Sequence, residues 1–469
     1  MFSKFSLLLT LFSASAFGSY EGAEKLYGQG TISLSGYRRT IIELINGGYY
    51  YSVVPWMKDF LVKNNAPLDS EMEEALDEML EHTGVKVFES LPDQILKRSN
   101  SANIHYIMGK RLMNREKFRE ALVELNRVPV GHSAYPFTSH MKGVVHSALG
   151  QNKEAMTDFN DCIRSSDKAA GKANSDSLKS QLEANRDYCL TGMGRVQFAA
   201  NDFKQAELNY LDISKDSYVW PQILFEEAWT SYYLKNYNRT LGKLVSYKAP
   251  VFDFIFKPEI EVLKALTYLK MCLYDDAKKT VDAFYGDLLT PSTDLRRFLL
   301  TNGKNYRYYY ELVADHESGK TMPLPILDQL LKAIRKDPAF IELKGSMAGA
   351  IGEHNQLRKN SNGSMKANLS KNIQTVVDEY RNTMGAYVRS GLTSRYAELY
   401  AAFQGMSYIK LEVLAQRKEK LYQSDAQPGQ KRGDVQYIQR NDKQYFWTFT
   451  GEFWADELGD YVFALRSEC

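Results

Sequence analysis

Two stretches of equal length decide how this chain is read: MGKRLMNREKFREALVELNRV at residues 108–128 and KGVVHSALGQNKEAMTDFNDC at residues 142–162. Laid over each other with a shift of 34, Gly109 meets Gly143, Ala121 meets Ala155, Leu125 meets Phe159 and Val128 meets Cys162. A third copy holds Gly194, Phe203, Ala206, Tyr210 and Ile213. A fourth holds Ala228, Tyr237, Thr240, Leu244 and Tyr247, and a fifth Ala265, Tyr274, Ala277, Val281 and Phe284. The small anchors are spaced 34, 51, 34 and 37 residues apart, the 51 being one period plus a polar insertion around Lys168 to Asn185. Five copies in one register make a repeat array.

Each copy reads as two antiparallel helices. The small anchor on the first helix lets the second approach, the Ala twelve residues later does the same in return, and bulky residues at the Phe118 and Leu125 slots fill the space between. One such pair cannot bury its own apolar face, so neighbours must stack. The fold class expected is all-α, a helix-pair solenoid followed by long C-terminal helices and a short aromatic tail.

The pattern resembles the tetratricopeptide repeat over roughly residues 102–290. That resemblance implies a concave face lined by the first helices, with a partner-binding groove at Tyr106, Lys110, Met113, Phe137, His140, Arg195, Phe198, Phe225, Trp229 and Tyr232. Aromatics with a few cations suit a peptide or a helix. The alternative occupant of that groove is the protein's own C-terminal helices.

The array is flanked on both sides. Residues 1–18 carry Lys4, an apolar run from Leu7 to Phe12 and then small residues, the order of a secretory signal peptide. Residues 19–100 read as a helical cap, a worn repeat, with a helix pair over Tyr37 to Leu61 broken at Gly47-Gly48. The solenoid takes 101–290 and a helical extension 291–362, with helices expected over Thr293 to Leu312, Ile326 to Arg335 and Phe340 to Lys359. Residues 363–425 form one or two long amphipathic helices with a break expected at Ser390-Gly391, either packed on the protein itself or seeking a coiled-coil partner. Residues 426–469 are an aromatic tail too apolar to leave in water.

Composition excludes several classes. Fifty-nine Lys+Arg against 57 Asp+Glu leave a net charge of +2, without the basic excess of a nucleic-acid-binding face. Beyond the leader every apolar run is interrupted by charge before membrane-spanning length. Four cysteines suit an exported chain. Cys162 sits on the second helix of repeat two, facing the first helix of repeat three, where Cys189 lies; the two are expected to pair. Cys272, at the turn of repeat five, is expected to pair with the terminal Cys469.

The chemical motifs are weak. Residues 314–321 fit a loose phosphate-loop pattern, but Asp315 and Glu317 occupy the anion's place and Pro323 and Pro325 deny the following helix. Arg432-Gly433-Asp434 reads as a polar turn. The seven His are scattered, and adjacent acids such as Glu226-Glu227 are expected on solvated helix faces. No catalytic residue, metal site or cofactor is expected.

The tail around Gly451-Glu452-Phe453-Trp454 and Asp456-Glu457-Leu458-Gly459, with the leader and the repeats, resembles the exported tetratricopeptide proteins of gliding and predatory bacteria, including those linked to adventurous gliding motility. The resemblance implies a non-enzymatic scaffold in the periplasm of a Gram-negative cell, binding protein or peptide partners, among them envelope proteins. The competing class is an envelope enzyme or cell-wall-binding protein with its site in the C-terminal half.

Overall fold

The computed structural model describes residues 20–28, 33–173, 175–360, 362–422, 438 and 440–469. The expected leader and the 432–434 turn lie outside these. The described chain is all-α apart from one short strand pair. In order, α1 covers residues 20–28, α2 Leu34–Asn46, α3 Val54–Lys63, α4 Ser70–Thr83, α5 Asp93–Leu96, α6 Ala102–Asn114, α7 Phe118–Leu125 and α8 Tyr135–Ala148. Then come α9 Asn152–Ala170, α10 Asp176–Ala199, α11 Phe203–Tyr210, α12 Trp220–Tyr233, α13 Tyr237–Val245, α14 Glu259–Lys270 and α15 Tyr274–Asn302. The chain ends with α16 Tyr306–Glu317, α17 Pro325–Lys336, α18 Pro338–Leu357, α19 Ser364–Tyr422, β1 Trp447–Thr448 and β2 Tyr461–Val462. Two units divide it: Met1–Gln151 with Pro338–Met384, and Asn152–Asp337 with Gly385–Cys469.

Every repeat turns the same way. The residue seven past each anchor sits in the left-handed region: Glu116 (φ 60°), Gly150 (72°), Asn201 (62°), Lys235 (62°) and Cys272 (58°). At each turn the next N–H reaches five residues back: Lys117 to Leu112, Gln151 to His146, Asp202 to Gln197, Asn236 to Ser231 and Leu273 to Tyr268, at 2.8–2.9 Å. This is the six-to-one bond that closes a helix through a left-handed residue. Four of the five turns use a residue other than Gly, at a steric cost of about 1–2 kcal/mol each, so packing between the paired helices must hold them.

That packing runs through the anchors. A Cβ on Gly109 would stand 2.5 Å from Leu125 Cδ2, and one on Gly194 would stand 2.7 Å from Tyr210 Cδ1. In both repeats the bulky partner lies sixteen residues on, at the end of the eight-residue returning helix. The polar insertion is not a loop: it lengthens α9 and α10, which bury Phe159, Cys162, Leu182 and Cys189 between them. A Cβ on Gly192 of α10 would stand 2.5 Å from the Phe159 ring.

In the first unit, α2, α3 and α4 precede the first repeat. Glu353 on α18 is buried there, its carboxylate accepting the backbone N–H groups of Tyr50, Tyr51 and Ser52 at 2.8 Å. Tyr380 on α19 donates to Thr83 O at 2.7 Å, and Lys58 pairs with Glu379 at 2.8 Å.

In the second unit three expectations about the C-terminal half are corrected. The helix expected over Thr293 to Leu312 is cut, because Gly303 takes φ 50° and starts a turn between α15 and α16. Pro325 does not prevent a helix; it opens α17 at its first turn, where no N–H is needed. The break expected at Ser390-Gly391 is absent, since α19 is continuous through it. Gly391 is there for closeness: a Cβ would meet Ile334 Cδ1 of α17 at 3.2 Å. Gly385 does the same against Tyr306 at the start of α16, and Gly405 against Val262 of α14. Further along α19, Ala402, Met406, Ile409 and Val413 bury against Ala265, Ala277, Val281 and Phe284 of repeat five.

The tail docks on α11, α12 and α13. Tyr461 and Leu458 bury with Tyr210, Ile213, Trp220 and Leu224, and Phe449 and Phe453 pack on the same cluster. Strands β1 and β2 pair in parallel. Asn238 on α13 holds Leu465 through both its N–H and its carbonyl, at 2.9 and 3.0 Å, and Glu468 N donates to Met271 O at 2.9 Å. Cys272 and Cys469 are bonded (S–S 1.98 Å), and so are Cys162 and Cys189 (2.02 Å), the second pairing being the one drawn from the repeat register.

Candidate functional site

The ten groove positions named from the sequence fall in the two units, and their surroundings differ. In the first unit, Tyr106 packs with Ala102, Val128, Ala134 and Tyr135, and burial, aided by Glu342 and Glu89 nearby, pushes its phenol well above the ordinary range. Lys110 is held by Glu89 at 2.7 Å. Met113 packs on Leu112, Ala121 and Val145 between repeats, while Phe137 and His140 are half-buried on α8. Tyr106, Lys110 and Met113 are thus engaged by the chain itself.

In the second unit Arg195, Phe198, Phe225 and Trp229 open onto a hollow of about 380 Å³. Its walls are Phe198 on α10, Phe225, Trp229 and Tyr233 on α12, and Lys257 just ahead of α14. Arg195 on α10 and Glu226 on α12 close one side as a forked ion pair, with contacts of 2.5, 3.0 and 3.1 Å. The rings support one another: Phe203 stacks on Tyr233 at 4.9 Å, Phe198 meets both edge-on, and Trp229 lies 6.0 Å from Tyr233. Lys257 Nζ sits 4.4 Å over the Phe225 ring. The hollow therefore offers aromatic faces bordered by charge, the composition of a protein-binding hot spot.

Tyr232 lies beside this surface without lining it. It packs with Leu244, Ile260 and Leu263 between repeats four and five and its phenol is pushed up to about 12, mainly by burial. Its neighbour Tyr233 faces the hollow instead. Sequence reasoning also passed over Lys257 and Glu226. Lys257 falls in the connection between two repeats, where the helix-pair register assigns no slot. Glu226-Glu227 was expected on solvated faces, and Glu227 corrects this: it is buried, ion-paired to buried Lys243 on α13, with burial raising its carboxyl above the usual range.

Among the described residues, neither those of the tail nor those of α19 line the aromatic hollow. Instead α17 and α19 enclose a second cavity, of about 360 Å³, against α10 and α12. Its polar walls include Tyr188, Tyr218, Tyr387, Asp337 and Arg395, and Lys257 borders both spaces. The three phenols are held above their ordinary range, by burial first and then by Asp337. Among the described residues no group of three or more His, Cys, Asp or Glu is placed to hold a metal ion, and no helix is long and apolar enough to cross a membrane.

No family model matches the chain, and no curated protein does. Among solved structures it is similar to one described as the apo form of RapI, at 10% identity and a TM-score of 0.32, over 79% of this chain and 97% of that chain. A likeness of that degree carries no argument, and the fold stands on the geometry above.

Proposed function

We propose that this chain is an exported, non-enzymatic scaffold that binds protein partners through the aromatic hollow of its third to fifth repeats. The observation that supports this most is the ring cluster of Phe198, Phe203, Trp229 and Tyr233, bordered by Lys257 and the Arg195–Glu226 pair and, among the described residues, lined by neither α19 nor the tail. Rigid aromatic surface with a charged rim contributes most of the energy at interfaces. Two disulfides are compatible with an oxidising compartment. The resemblance of the leader and tail to exported gliding-motility proteins supports a place in an envelope complex of a Gram-negative periplasm.

Proximity labelling from the exported protein in its own cell identifies the neighbours. Wild type is then compared with Trp229→Ala/Tyr232→Ala and with Trp229→Ala/Tyr233→Ala for capture of each purified neighbour. The reading expects a loss of about ten-fold or more with native circular dichroism, since truncating two aromatic anchors removes upwards of 1 kcal/mol each. Unchanged capture by folded variants refutes the hollow as the binding face.

A further inference from the structure

The last third of α19 carries two apolar faces. One is accounted for: Ala402, Met406, Ile409 and Val413 bury against repeat five. The opposite face of such a helix meets water and should be polar. Along residues 367–394 it is, with Asn368, Lys371, Gln374, Asp378, Asn382 and Thr393 exposed and no large apolar side chain among the exposed positions. Beyond Ala397 the pattern reverses. Tyr400, Tyr408, Leu411 and Leu414 are 57%, 75%, 68% and 50% exposed. Ala397, Gln404 and Leu411 recur at seven residues, as do Ala401, Tyr408 and Ala415, so all six exposed positions share one uncharged stripe on the outward side.

The stripe is its own complement. Against a second copy running the other way, about a two-fold between Ser407 and Tyr408, Leu414 meets Ala401, Tyr400 meets Ala415, Leu411 meets Gln404 and Tyr408 meets Ser407. Each layer then holds one bulky side chain and one that is smaller or more flexible, which lets facing rows interdigitate. A parallel copy would set Tyr408 on Tyr408 and Ala401 on Ala401, bulk on bulk and gap on gap. The sequence after the helix, QSDAQPGQKRGDVQY at 423–437, offers mainly polar groups where an apolar cover is needed. Two tyrosines and two leucines at these exposures present on the order of 500 Å² of side chain. Two copies would bury on the order of 1,000 Å² in all, the lower bound for a specific interface. Association of that size is reversible.

We propose that this chain forms a two-fold homodimer by antiparallel pairing of residues 397–415 of α19. The assignment rests on neither the aromatic hollow nor its partners. Sedimentation velocity of the oxidised full chain from about 1 to 200 µM tests it, with reversible dimerisation expected at a micromolar dissociation constant, as an interface of this size gives. Tyr408→Lys sets two like charges beside the two-fold and should weaken the dimer at least about ten-fold. The fold should be untouched, because the Tyr408 side chain is three-quarters exposed. Gln374→Lys, on the polar part of the same helix, should leave the dimer as tight as wild type. Orientation is read by oxidising an equimolar mixture of Ala401→Cys and Leu414→Cys chains: antiparallel pairing joins unlike chains, parallel pairing like ones. A monomer at every concentration, a dimer that folded Tyr408→Lys leaves unweakened, or cross-links mainly between like chains overturns the proposal.

Discussion

The carbonyl of Tyr461 occupies the space where a Cβ on Gly242 would stand, and Val462 N would lie 2.8 Å from that atom. The tail thus crosses α13 backbone to backbone, at a point where no side chain can rotate away. Gly459 (φ 86°) makes the approach from the other side, donating its N–H to Ser246 Oγ at 3.0 Å.

Gly242→Ala should therefore undock the tail, although Ala favours a helix interior by about 1 kcal/mol. Overpacking costs about 1–3 kcal/mol where neighbours can shift, and backbone shifts less readily than side chains. Limited proteolysis of the variant should cut within 440–469, sites the wild type protects.

The two disulfides should differ in accessibility. Cys162 and Cys189 are fully buried, whereas Cys469 is exposed. Graded reduction followed by alkylation and peptide mapping should label Cys272 and Cys469 first. Cys469→Ser should lower the melting temperature of the oxidised protein, the loop-entropy model giving about 5 kcal/mol as an upper bound. The measured loss should be smaller, because Asn238 and Met271 still hold the chain end.

Substitutions at two glycines of α19 should separate cleanly. A Cβ on Gly385 would stand 2.7 Å from the carbonyl carbon of Tyr306, while one on Gly391 would meet only the mobile end of Ile334 at 3.2 Å. Gly385→Ala should destabilise the fold by about 1–3 kcal/mol; Gly391→Ala should fall within about 1 kcal/mol of wild type. Chemical denaturation of both variants checks the order.

Lys243→Met should leave Glu227 buried without its cation, at about 3–5 kcal/mol. The pH dependence follows from the direction of the Glu227 shift, which burial already raises and which loses the opposing effect of Lys243. A folded carboxyl above its unfolded value binds more protons folded than unfolded between the two values, so stability falls as pH rises through that window. The deficit should be largest at neutral pH and shrink in mild acid. Adding Glu227→Gln should recover much of the loss at pH 7 and flatten the pH profile.

The repeat was legible because its information is local. Gly109 with Leu125 and Gly194 with Tyr210 are small and large partners at a fixed sixteen-residue offset, and a period of that kind survives in sequence. The left-handed turns were not: four of five use Glu, Asn, Lys or Cys, whose composition says nothing about φ. Ser390-Gly391 looked like a break because Gly weakens a helix, yet its close approach to Ile334 keeps it within one.

By itself, the sequence determined an all-α chain of stacked helix pairs and brought Cys162 to Cys189, since both follow from spacing along neighbouring elements. Tertiary structure alone decided where the tail rests, which groove positions stay open, and that Lys257, Asp337 and Tyr387 share one cavity. Tyr387 lies 199 residues from Tyr188, and nothing periodic links them. Their meeting depends on how α17 and α19 fold back on the array, a property of complementary surfaces: glycines where backbones cross, and bulk where they do not.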